Sequence, residues 1–595
     1  MFASTLVTAI WRSNALDHYM PTDESASNGS TRLSTDLKAG VQYWAPAIAV
    51  SLTTFIVVLN ASLMNVAIPT MVDEFDTTVT MIQGAVALYS LVTAALVLPA
   101  GTLPSRHSIR RVLAVALLVY AGGTLVASLS WNTTILYLGW SLIQGSAAAV
   151  IFPLTFTVLI ISYEDDDRAK AFGLLAGVSG VGSTIGPIIG GALTTYASWR
   201  WGFTLQLVGV GVVLFFTQYV SPNPLSETRR SLDKGGTVLS IVGATSLVTG
   251  FLLSGKYGWL VERRPFVVGE LQFNPFGTSP AIWFLGVGLL GFAAFVQYER
   301  RLERAGKSPL VPLHVLTNRP FLAGVFTYNM RSIVSAGFFF IFPVYLQAVL
   351  GYTAFETGVA LLPYSLTSVL FSTVTPNWRK YISPKTLIQI GIVCMGVALV
   401  LLYEQTGPSQ TIVRMALPVA LYGAGVGLIL AQITNMTMSA VPTAYSAEAS
   451  GVLNVSYSIG FSLGTAVIGS YFLGRFYGSV VDGVLRAEHE TVSAEQRTDL
   501  VIALEDAAET ATDATQQQFL TQLTPAQRQL LEGIFEAAMF DAQRATLLLL
   551  VLFVLLLLIA STFLPRQIPD ADDGTDHLES SPDATREASE TATED

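Results

Sequence analysis

Charge is scarce in this chain. Of 595 residues, 12% are Asp, Glu, Lys or Arg, about half the share usual in water-soluble domains. Cysteine is nearly absent. Cys394 stands alone, which excludes a disulfide framework and a Cys-ligated metal or redox pair. The five histidines (His18, His107, His314, His489, His577) fall in loops or tails without ligand spacing, so no metal, no cofactor and no membrane-bound enzyme is expected. What the sequence has instead is apolar surface: 51% hydrophobic residues and a mean hydropathy of +0.54. That excludes a soluble single domain and a disordered polymer, and it requires a lipid bilayer around much of the chain. The net charge of −10 argues against nucleic acid as a partner.

Apolar segments long enough to cross about 30 Å of hydrocarbon lie near 45–69, 81–103, 111–129, 134–161, 171–194, 201–220, 236–255, 281–298, 321–350, 357–375, 384–403, 411–438, 449–473 and 543–564. The reading is an all-α membrane protein with fourteen transmembrane helices. An even number places both tails on one side. Arg106, Arg110, Arg111, Arg168, Lys170, Arg229, Arg230, Lys234, Arg300, Arg301, Arg304, Lys307, Arg319, Arg379, Lys380 and Lys385 then share that side, which the positive-inside bias makes cytoplasmic. Against it stand Arg200, Lys256, Arg263, Arg264 and Arg414. The expected organisation is a disordered cytoplasmic tail (1–41), a six-helix bundle (42–220) and a linker with two inserted helices (221–319). A second six-helix bundle (320–565) follows, with an external acidic loop (474–542), and then a disordered acidic tail (566–595). Helical stretches are expected in the loop at Ala494 to Ala511 and Pro525 to Phe540. The acidic, lysine-poor solvated parts suggest a high-salt organism.

The two bundles are suggested by an internal repeat. Ile68-Pro69 is followed, fifteen residues on from the proline, by Gly84-Ala85-Val86-Ala87-Leu88-Tyr89-Ser90-Leu91. Phe342-Pro343 is followed at the same spacing by Gly358-Val359-Ala360-Leu361-Leu362-Pro363-Tyr364-Ser365-Leu366. Pro104 with Arg106, and Pro376 with Arg379, close the two copies. Parallel halves with a site at their interface are a transporter architecture.

In the fifth segment, Gly182, Gly186 and Gly190 sit four apart on one helix face and permit close backbone approach, while Pro187 should bend the helix. The run Gly182-Ser183-Thr184-Ile185-Gly186-Pro187-Ile188-Ile189-Gly190-Gly191 resembles the antiporter signature of the major facilitator superfamily. Trp199-Arg200-Trp201, Ala449-Ser450-Gly451-Val452-Leu453-Asn454, and Tyr345-Leu346-Gln347 with Gly351-Tyr352 and Gly358 resemble tags of its fourteen-helix drug:proton antiporter subfamily, the multidrug efflux type. Gly101-Thr102-Leu103-Pro104-Ser105-Arg106-His107-Ser108-Ile109-Arg110-Arg111 resembles the superfamily's cytoplasmic gating loop, in which Gly101, Arg106, Arg110 and Arg111 are the residues of interest. Ser105 and Ser108 replace that loop's aspartate and second glycine. Asp165, Asp166 and Asp167 are candidate substitute partners.

The chain departs from the subfamily where protons are handled. Asn60 stands where the resemblance implies an aspartate, Ser141 where it implies an arginine, and Tyr457 where it implies a second arginine. No acid lies well inside an apolar segment; Glu356, Glu404 and Glu448 fall just outside segment ends. An amide cannot exchange a proton near neutral pH, so proton coupling is expected to be weak, displaced to a helix-end acid, or carried by another coupling ion. The expected cavity residues are Arg331, Asn60, Gln144, Asn329, Gln347, Asn454 and Tyr457, with Arg331 near the midplane. The expected function is export of a small-molecule substrate, an amphipathic compound, by alternating access. Alternatives are a facilitator or lipid-linked exporter for an anionic substrate anchored by Arg331, or a non-transporting membrane sensor.

Overall fold

The computed structural model describes residues 29–77, 79–104, 106–220, 233–268, 271–272, 275–407, 410–490, 492–510 and 521–567. The terminal expectations therefore lie largely outside the described residues. Residues 29–41, placed in the tail on sequence grounds, are helical. The chain divides into two compact units, Met1–Ala45 and Pro46–Asp595.

Fourteen apolar helices carry the architecture: α1 Gly29–Glu74, α2 Val79–Ala100, α3 Ile109–Ser128, α4 Thr133–Ser162, α5 Asp165–Tyr196, α6 Arg200–Phe216, α7 Lys234–Tyr257, α8 Pro280–Arg304, α9 Arg319–Val344, α10 Ala354–Trp378, α11 Pro384–Gln405, α12 Ile412–Ser439, α13 Ser446–Ala487 and α14 Pro525–Ser561. Among the described residues thirteen are long and apolar enough to cross a membrane, and the remaining one, α2, has a shorter apolar stretch at Gly84–Ala100. The starts are written in the sequence. Ser279-Pro280 and Ser383-Pro384 place a capping hydroxyl before a proline at the first helical position. Thr353 with Glu356 and Thr524 with Gln527 form capping boxes.

Alternation of the helices puts the loops after α2, α4, α6, α8, α10 and α12 at one end, here the Arg106 end. The loop between α13 and α14 lies at the opposite end. There α13 runs on past the apolar stretch to Ala487, and the helix Ala494–Thr510 returns along it. Arg497 binds Asp482 through two hydrogen bonds of 2.7 and 2.9 Å. These groups are well exposed, so the pair orients the loop and contributes no more than about 1 kcal/mol. The expected stretch from Pro525 is not separate but continuous with α14.

Two seams position the site. Along α1 and α5, Cβ atoms at Gly186 and Gly190 would collide with Ser62 and Leu63, and Ser62 Oγ donates to the Gly182 carbonyl at 3.1 Å. Along α5 and α10, which belong to different halves, Gly173 abuts the Ser372 carbonyl, Ser365 Oγ donates to the Gly180 carbonyl at 3.0 Å, and Ile188 fills the space over Gly358. The glycines of the signature therefore serve the α1 face of α5, while Gly173, Gly177 and Gly180 serve the α10 face. The inserted pair packs through Gly250 on Leu285 and Gly288 on Leu247. Leu247 and Phe251 of α7 also pack with Ile459, Leu463 and Ala466 of α13, and α7 lies against α2, so the pair bridges the two halves.

Candidate transport site and end latches

The seven expected cavity residues do not gather in one place. In the first half, Asn60, Gln144 and Gln206 form a closed ring of amides, all buried. Asn60 donates to Gln144 (2.9 Å), Gln144 to Gln206 (3.2 Å) and Gln206 to Asn60 (3.1 Å). Gln144 also donates to Thr124 (2.7 Å), and Tyr120 donates to Gln206 (3.2 Å). Each amide uses donor and acceptor, which is how polar groups survive at this depth. The π-helical turn Tyr137–Gln144 re-aims the end of that segment, and Ser141, in the position where the resemblance implies an arginine, donates instead to the Ala85 carbonyl at 2.7 Å. Neutral hydrogen bonds hold this layer together.

In the second half, Arg331 and Tyr457 come together. The Arg331 guanidinium carbon lies 5.1 Å from the Tyr328 ring centre, and the Tyr328 and Tyr457 rings are 5.9 Å apart. Asn329 donates to the Ser456 carbonyl (2.6 Å), tying α9 to α13, and Asn454 donates to the Ser450 carbonyl within its own helix (2.8 Å). Gln347 stands apart, exposed on the π-helical turn Tyr345–Val349.

Charge gathers at the Arg106 end. Gly101 of the loop between α2 and α3 sits under the Ala447 carbonyl at the start of α13, where a Cβ would come within 2.8 Å. Arg106 faces Glu448 of α13; burial lowers its pKa and the Glu448 carboxylate draws it back up. Arg110 and Arg111 lie exposed on the first turn of α3. The repeat-related loop does the equivalent thing on the other side: Arg379 faces Asp166 at the start of α5 (3.9 Å). Arg168 donates to Ser439 at 3.2 Å, also between halves. Asp166 and Asp167 pair with Arg379 and Lys170; the side chain of Asp165, the third candidate partner, lies outside the described residues, and the Glu448 charge acts on Arg106. A recess lined by Asp166, Arg379, Lys380, Pro384 and Gln567 opens beside the second latch.

The buried charged side chains among the described residues are Asp233, Arg264, Glu299, Arg331 and Glu448. Glu299 escaped sequence reasoning because Tyr298-Glu299-Arg300-Arg301 reads as a solvated helix end. It is 0% exposed, accepts from the Leu310 amide at 2.7 Å, and turns its other oxygen, with one of Asp233, toward the space a Cβ on Gly236 would fill. The signal was present only as Asp233 and Gly236 three apart at the start of α7. All three buried carboxylates lie at the Arg106 end; Arg331 alone lies far from helix ends.

At the opposite end, Arg200 pairs with Glu74 and donates to the Ser130 carbonyl (2.7 Å), while Trp199 Nε1 donates to Glu74 (2.6 Å). Arg264 pairs with Glu505 at 3.6 Å. Two of the basic residues that ran against the charge bias are thus held in local ion pairs.

Comparison with known proteins accords with this architecture. The Major Facilitator Superfamily model matches residues 50–465. The chain is 26% identical over 456 residues to the multidrug resistance protein Stp of Mycobacterium tuberculosis, covering 76% of this chain and 80% of that relative. It is 26% identical over 447 residues to the puromycin resistance protein pur8 of Streptomyces alboniger (74% and 84%), and 24% identical over 437 residues to the multidrug export protein EmrB of Escherichia coli (73% and 81%).

Proposed function

The chain belongs to the major facilitator superfamily, and from that premise we propose that this membrane transporter exports small amphipathic compounds across the cell membrane by rocker-switch alternating access, with both termini cytoplasmic. The observation that carries the reading is the pair of latches at the Arg106 end. Two repeat-related loops cross from one half to the other, Arg106 to Glu448 and Arg379 to Asp166. Charge contacts of this kind, an ion pair at 3.9 Å for Arg379 and a facing carboxylate for Arg106, are individually weak in water, about 1 kcal/mol or less, so they can hold one end shut and still release it. The glycine seam between α5 and α10 supplies close backbone packing that can slide or part as a unit. The names of the relatives favour efflux of drug-like molecules, and the amide and tyrosine walls suit loosely selected amphiphiles. The Arg106 end carries most short-loop basic residues, which supports its cytoplasmic placement, and the acidic loop is then external.

The test is transport of a chemically varied panel of amphiphiles from protein reconstituted in liposomes, with the double variant Arg106→Ala/Arg379→Ala beside the wild type. The wild type is expected to move several panel members saturably. The double variant is expected to lose about tenfold or more in rate while retaining its fold. A wild type that moves no compound, or a variant as fast as the wild type, contradicts the reading.

A further inference from the structure

We propose that Arg331 and the tyrosines around it form the binding site for an organic anion, an oxyanion head joined to a flat aromatic body. The inference rests on the transporter reading and names a substrate class for it. Arg331 lies twelve residues into α9, about 18 Å along the helix at 1.5 Å per residue, and is 5% exposed. Its side-chain partner is neutral, the Ser335 hydroxyl at 3.2 Å. Its Nε is buried with no hydrogen-bond partner among the described residues, and no described carboxylate pairs with it. A guanidinium at membrane depth without a counter-ion marks a site whose anion comes from elsewhere.

The surroundings say which anion. Tyr328 lies under the guanidinium, and Tyr457 lies beside Tyr328 and 5.8 Å from Phe461. Tyr422, fully buried, stacks on Phe338 at 4.0 Å, and Tyr364 lies 6.2 Å from Tyr422. The Tyr328 ring face holds the cation. A carboxylate or sulfonate fits the planar guanidinium fork through two parallel hydrogen bonds, and a flat body stacks between rings. A cationic drug meets like charge here. Tyr457 is half-buried and Phe461 is 36% exposed, so the α13 side is where a ligand enters.

The test uses the full chain in nanodiscs of zwitterionic lipid and three probes sharing one ring: 2-naphthoate, 2-naphthylmethanol and 2-naphthylmethylammonium. Binding is read by quenching of intrinsic fluorescence. The wild type is expected to bind 2-naphthoate at least tenfold more tightly than the ammonium probe. Arg331→Gln should erase that preference and leave the alcohol within about twofold. Arg331→Lys, which keeps charge and loses the fork, should be intermediate, and Tyr457→Leu should weaken naphthoate and alcohol alike. The last two variants keep the inference testable if Arg331→Gln does not fold. Repeating the titration with phosphatidylglycerol in the disc separates sources of the head group: competition assigns the site to an anionic lipid, no competition to a soluble anion. Equal binding of all three probes, or naphthoate binding indifferent to Arg331, overturns the site while export in liposomes still stands. Arg331-dependent binding without any transport upholds the site and removes the transporter reading instead.

Discussion

At the scale of single residues, the buried polar layer of the first half is built from amides. Asn60, Gln144 and Gln206 satisfy one another around a ring, each bond contributing about 1 kcal/mol net. None of them can carry a proton. The account predicts that transport by the wild type responds little to an imposed pH gradient, and that Asn60→Asp, which adds a titratable carboxyl inside the ring, makes the rate depend on that gradient by about threefold or more. Liposome transport with and without an uncoupler checks this; strong gradient dependence in the wild type contradicts it. Arg331 was legible as a deep charge, because an arginine inside an apolar run is conspicuous wherever its partners lie. The amide ring was legible only as a set of polar residues. The part of Gln206 in it was not legible, since hydrogen-bond closure depends on rotamers and helix rotations that spacing does not encode. Glu299 was missed for the opposite reason: its burial comes from the 305–319 segment folding back to offer the Leu310 amide.

At the scale of elements, helix starts and the glycine face of α5 were readable because both follow from local chemistry: hydroxyl caps before prolines, and small residues at four-residue spacing. Which neighbour each glycine met was not, because a helix has several faces and only tertiary structure assigns them. The signature glycines met α1 within one half, whereas Gly173 and Gly177 met α10 across the halves. That difference is testable. Gly173→Ala places a Cβ against the Ser372 carbonyl, a backbone atom that cannot swing aside, and overpacking of this kind costs about 1–3 kcal/mol. Transport by Gly173→Ala should fall about tenfold. Gly122→Ala, where a Cβ meets open space, should leave it unchanged. Equal effects of the two substitutions contradict the α5–α10 seam as the moving contact.

At the scale of the whole molecule, the repeat and the hydropathy profile suggested two bundles and an inserted pair, and the family match over residues 50–465 shows the major facilitator fold. Which charges the loop arginines face was not legible, because Asp166 is distant in sequence from Arg379, and Glu448 from Arg106. The proposed orientation rests on the bias of basic residues and can be checked by labelling. In a Cys394→Ala background, Glu536→Cys in the acidic loop should react with a membrane-impermeant maleimide on intact cells, and Glu590→Cys in the tail should react after lysis only. The reverse pattern inverts the assignment of sides. The central claim is that the halves rock about a fixed middle, so that closing one end opens the other. Double electron–electron resonance measures this directly in the same background, with one spin-label pair at His107→Cys and Thr443→Cys beside the Arg106 latch and a second at Thr134→Cys and Thr411→Cys at the opposite end. On addition of a transported compound the two mean distances are expected to change in opposite directions, by several ångströms each. Two distances that stay fixed, or that lengthen together, contradict the account.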